Sequence, residues 1–117
     1  MRVTVDGAPP SKDQGMSSRG PTHLHFPRVE LLRKAMLDQV DPSERLVKTA
    51  AVMHVHYERF SARSDALNLM NGIADVVQSR GNLDQPWIID DDFFVTEFHY
   101  KETAADHDRY TVEISAR

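Results

Sequence analysis

The chain has 117 residues, 40% of them apolar, no cysteine and a formal net charge of −4. That length suits one domain spanning residues 1–117, and no second. Without cysteine there can be no disulfide, thiolate metal site, iron–sulfur cluster or cysteine nucleophile. No apolar run is long enough to span a membrane, and the first dozen residues lack the apolar core of a signal peptide, so a cytoplasmic protein without membrane partners is expected. The charge is uneven: residues 1–50 carry +2 and residues 51–117 carry −6. A strongly cationic nucleic-acid binder is excluded, a locally basic one is not.

The opening Val3-Thr4-Val5 is β-prone and ends at Gly7-Ala8-Pro9-Pro10. Residues 7–26, rich in Gly, Ser and Pro and carrying Lys12, Arg19, His23 and His25, read as a mobile basic loop. Val29, Leu32, Met36 and Val40 recur on one helical face, which predicts a helix over residues 27–39. Asp41-Pro42-Ser43-Glu44 then looks like the start of a short helix, with Asp41 as cap and Pro42 in the first turn.

Residues 52–60 alternate. Met53, Val55 and Tyr57 point one way and His54, His56 and Glu58 the other, the pattern of a strand with one buried face. A second helix is expected over residues 64–78. Its apolar stripe is Ala66, Leu69, Met70, Ile73 and Val77, with Leu67 at the edge, and Asp65, Asn68, Gly72 and Asp75 line the opposite side. Gly81 or Asn82 would end it in a left-handed conformation. Residues 93–101 and 109–114 read as two further strands joined in an antiparallel hairpin. The expected fold is thus α/β, a small mixed sheet flanked by helices in the order β-α-(α)-β-α-β-β.

Several groups could carry chemistry. Asp90, Asp91 and Asp92 repel one another, and a hard divalent cation such as Mg²⁺ or Mn²⁺ relieves that repulsion; the plainer account is a solvated acidic turn. Asp65, between a strand and a helix, is either a simple cap or one of two carboxylates that meet to hold a metal that activates water. His54 with His56, and His23 with His25, have spacings used at zinc sites, although alternate polar residues on a strand are commonplace. No glycine-rich phosphate loop is present.

In their order and spacing these segments resemble the RusA family of Holliday junction resolvases. The resemblance rests on His54-Val-His-Tyr57, Arg63-Ser-Asp-Ala-Leu-Asn-Leu69, Ala74-Asp-Val-Val77, Trp87-Ile-Ile-Asp-Asp-Asp-Phe-Phe-Val95 and Tyr110-Thr-Val-Glu-Ile114, together with the opening residues 3–12. It covers nearly the whole chain through short motifs. It implies a homodimer with one Mg²⁺-dependent site per subunit, acting on four-way DNA junctions. Asp65 matches the motif's first aspartate and Asn68 its asparagine. Asp91 and Asp92 match the Asp-Asp pair, with Asp90 and Asp91 as the alternative alignment, and Asp75 matches a supporting mid-helix aspartate. Two positions depart from the pattern. The second motif aspartate is Leu67 and the usual lysine is Asn71, so one acid is missing unless Glu58 or Asp90 replaces it.

The expectation is a metal-dependent endonuclease for branched DNA. Asp65, Asp91 and Asp92 would be its catalytic acids and Asp90 a further metal ligand. Lys12, Arg19, Arg59 and Arg63 would bind phosphates. The alternatives are a RusA-like protein that binds branched DNA with weak or no nuclease activity, and an unrelated interaction or metal-binding module. On the first view Asp65 and Asp92 should approach one another in the fold.

Overall fold

A computed structural model describes residues 1–11, 26–60 and 64–117. It is a two-layer α/β structure. A four-stranded mixed sheet contains β1 (Arg2–Asp6), β2 (Ala51–Arg59), β3 (Val95–Ala104) and β4 (Arg109–Ala116), and its helices are α1 (Phe26–Gln39) and α2 (Ala66–Val77). Short 3₁₀ turns at Pro42–Glu44 and Asp92–Phe94 precede β2 and β3. Asp41 caps the first of these turns, its carboxylate accepting from the Ser43 N–H, which is the role its sequence context predicts.

Strand order in the sheet is β1-β4-β2-β3. β4 lies antiparallel to both β1 and β2, while β3 runs parallel to β2. The expected hairpin of the last two strands is therefore corrected. β3 and β4 point in opposite directions but sit on opposite sides of β2. The unit β2–α2–β3 is a crossover between parallel strands, and such strands need a helix-sized connection. Alternation alone could not reveal this, because it marks buried faces and says nothing of which strand lies next to which.

The alternating residues behave as the pattern requires. Met53, Val55 and Tyr57 from β2, Tyr110, Val112 and Ile114 from β4, and Val3 and Val5 from β1 all face the helices and are buried. Leu32 and Met36 of α1, with Leu69, Ile73 and Val77 of α2, complete the core. Each such side chain contributes roughly 1.5–3 kcal/mol through removal from water. The opposite face of the sheet has no helix on it among the described residues, and His54 and His56 are exposed there.

Two details of α2 differ from the helical-wheel reading. Gly72 is buried, not on the solvent side. A Cβ at this position would lie 2.4 Å from the Pro10 carbonyl oxygen and 2.8 Å from Ser11 Cα. The segment after β1 thus crosses α2 at its one side-chain-free position, and Ala8, Pro9, Pro10 and Ser11 are buried. The first part of the expected mobile loop is accordingly packed structure; residues 12–25 lie outside the described residues. Leu67, expected at the stripe's edge, is 71% exposed. After α2 the chain reverses through Arg80 (φ 44°) and Gly81 (φ 84°). Gly81 takes the left-handed role assigned to it or Asn82, and Arg80 joins it.

Candidate functional site

Asp65 is the N-cap of α2, its carboxylate accepting from the Asn68 N–H at 2.9 Å. It follows the C-terminal end of β2, where parallel strands most often present ligand-binding groups. A network next to it ties the end of β2 to β3 and to the residue before Asp65. Arg59 donates to the Ser64 carbonyl at 3.0 Å and pairs with Glu102 at 2.7 Å. Tyr100 donates to the same Glu102 oxygen at 2.5 Å, and the Arg59 guanidinium lies over the Tyr57 ring. The Arg59 guanidinium and then the Tyr100 hydroxyl hold the Glu102 carboxyl below its ordinary range. Burial, then the neighbouring Glu102, pushes Tyr100 up to about 12. Behind them Asp108 accepts from Tyr57 at 2.5 Å and from the Phe60 N–H at 2.7 Å.

The aspartate triplet lies elsewhere. Asp92 donates its N–H to the side chain of Gln78, the C-cap of α2, at 2.9 Å, and its carboxylate lies 3.6 Å from Arg80. Gln78 also donates to Asp75 at 3.3 Å. Asp91 caps the 3₁₀ turn by accepting from the Phe93 N–H. Asp90 accepts from the Lys48 N–H at 3.0 Å, and its backbone carbonyl receives the Arg80 N–H and the Ser79 hydroxyl.

Asp65 and the triplet therefore occupy opposite ends of α2, whose 12 residues span about 18 Å at 1.5 Å per residue. The expected approach of Asp65 to Asp92 does not occur within the chain. The physical reason is the parallel crossover. The chain leaves β2 at one end of the strand pair and enters β3 at the other. The residues present do not fit one Mg²⁺ site built from Asp65, Asp91 and Asp92, with or without Asp90. Among the described residues, no three histidine, aspartate or glutamate side chains are grouped to hold a metal.

The other candidates sort in the same way. Asn68 lends Asp65 its backbone N–H. Glu58 sits on the sheet face away from α2, opposite Arg109 of β4, so it does not supply the acid missing at Leu67. Asp90 does not supply it either, since it lies at the far end of the helix. Arg59, expected to contact phosphate, is tied to Glu102 and to the Ser64 carbonyl. Lys12, Arg19 and Arg63 lie outside the described residues, as do His23 and His25. His54 stacks on His99, with ring centroids 4.4 Å apart and planes within 8°, and His56 bonds Thr103 at 3.2 Å.

Sequence reasoning missed His99, Tyr100 and Glu102 as partners, because each acts through a neighbouring strand. It also missed that Arg33, paired with Glu30, and Arg80, paired with Asp92, line one cavity of about 190 Å³ beside Asp75 and Gln78. No helix among the described residues is long and apolar enough to cross a membrane. No protein-family model matches the chain, and no curated protein matches it.

Proposed function

We propose that this chain is a RusA-like protein that binds branched DNA, four-way junctions above all, as a homodimer and with weak or no nuclease activity. The DNA part rests on the order of the sequence motifs. The weak-cutting part rests on one observation, the separation of Asp65 from Asp90–Asp92 by the length of α2, with each of these residues engaged in local hydrogen bonds. A metal that activates water must be held by carboxylates that converge, and these do not. Arg33 and Arg80 line one cavity, and a phosphate there would compete with their partners Glu30 and Asp92, which would make binding salt-sensitive.

The test is a labelled four-way junction against linear duplex, with EDTA, Mg²⁺ or Mn²⁺. The expected result is salt-sensitive, junction-preferring binding with little or no product in any of the three. Metal-dependent cutting of opposed strands would replace this reading with the Mg²⁺-dependent endonuclease. Failure to bind the junction at low salt would remove the DNA reading altogether.

A further inference from the structure

The longest edge of the sheet is uncovered among the described residues. β3 has ten residues and forms one border, β2 being its only strand neighbour among the described residues. Most of its residues are exposed, including Phe98 at 46%. An exposed edge with apolar side chains is a template for another strand. On the helix side of that edge, Phe98 and Tyr100 continue into Leu67 and Met70 as an apolar groove of about 340 Å³. On the other side the edge presents Glu97, His99 and Lys101 in alternation, in register with Val52, His54 and His56. These charges discourage pairing with an arbitrary strand and so select a complementary one.

The complementary strand is β3 itself. Two antiparallel copies related by a two-fold axis must be centred on a residue that faces its own twin. Centring on Glu97 or Lys101 opposes like charges. Centring on Phe98 brings the bulged Thr96, where the β2–β3 register shifts, into the ladder. Centring on Tyr100 opposes His99 to Lys101 and Phe98 to Glu102. Centring on His99 opposes Glu97 to Lys101 twice and Phe98 to Tyr100 twice, and leaves Thr96 outside the five central pairs. The same axis, perpendicular to the sheet, brings the two apolar grooves together on one side.

We infer that two copies of this chain associate through antiparallel pairing of β3 centred on His99, making one eight-stranded sheet. The interface rests on the two-protomer reading above, and its tests report association and register, not DNA binding.

Two experiments decide it. The chain has no cysteine, so His99→Cys introduces a lone thiol. Twin residues in an antiparallel ladder have Cα atoms about 4.5–5.5 Å apart, within disulfide range. Under dioxygen with copper phenanthroline, His99→Cys should become a covalent dimer, while Phe98→Cys and Tyr100→Cys should lag well behind. Light scattering should give twice 13.3 kDa at tens of micromolar. Glu97→Lys and Lys101→Glu should each weaken association roughly tenfold, and the two together should restore it.

A monomer at that concentration, preferential cross-linking at Phe98 or Tyr100, or a double variant no better than the singles would overturn the inference. Circular dichroism of each variant separates loss of association from loss of folding. A monomer that still binds the junction removes the interface and keeps the functional reading. A His99-centred dimer that ignores the junction does the reverse.

Discussion

At its N-terminal end α2 has one aspartate, Asp65, whose carboxylate closes the helix beside the Arg59–Glu102 pair. At its C-terminal end stand Asp75 and the Asp90–Asp92 run, engaged by the Gln78 amide, two backbone N–H groups and Arg80. Helix electrostatics favour an acid at the first end and disfavour it at the second. The lone acid therefore needs only the cap, whereas the crowded acids need donors from several other places in the chain. Abundance of carboxylates is a poor guide to a metal site when each is already engaged in holding a turn.

Both ends depend on α2 being clamped in place, and the clamp is Gly72 under Pro10. Gly72→Ala forces a methyl against backbone atoms that cannot give way. It should cost on the order of 1–3 kcal/mol or more, read from the urea midpoint. Gln78→Leu acts on the crowded end alone. It removes the amide shared by Asp75 and the Asp92 N–H, and should cost about 1–2 kcal/mol. Hydrogen exchange should accelerate around residues 90–94 and not around residue 65. Acceleration at both ends would show that the ends are coupled.

At the other end Asp65→Ala should cost about 1 kcal/mol, and Asp65→Asn only a few tenths, because asparagine caps nearly as well. A thermal shift with Mg²⁺ that disappears in both Asp65→Asn and Asp92→Asn would instead join the two ends in one site.

Acid should weaken the network beside Asp65. The Glu102 carboxyl is held below its ordinary 4.5 by Arg59 and Tyr100, so its contribution is present above that pH and is lost as pH falls through the lowered value. Its side chain is 37% exposed, so the contribution is about 0.5 kcal/mol or less. Glu102→Gln should flatten the stability–pH curve below pH 4.5 by that amount. Leu67→Asp should be the mildest change, within about 0.5 kcal/mol, since the side chain is exposed. A large gain in metal-dependent cutting by this variant would mean that a catalytic site forms at the N-terminal end without the triplet.

Element types were legible from residue pattern. Alternation in residues 52–60 and 109–114 and the stripe from Leu69 to Val77 each marked the correct kind of element, because burial of one face imposes its period directly. The Asp41 cap was equally local. Adjacency was not legible. Nothing in the residues of β3 states that it joins β2 and not β4, and the distance between Asp65 and Asp92 follows from that pairing. Gly72 was misread because its partner, Pro10, is remote in sequence, and the wheel shows only the helix's own residues.

The place of β4 also governs how the sheet is assembled during synthesis. Among the described residues β1 bonds to no strand except β4, with Arg2 opposite Glu113. Of the four strands, the first to be made must therefore wait for the last before its ladder of strand hydrogen bonds can close. Until then β2 lacks one neighbour. Closing so long a loop is slow, and a chain stalled before β4 would expose two strand edges open to intermolecular pairing. The last strand thus joins two parts of the sheet that share no hydrogen-bonded strand pair, β1 on one side and the β2–β3 pair on the other.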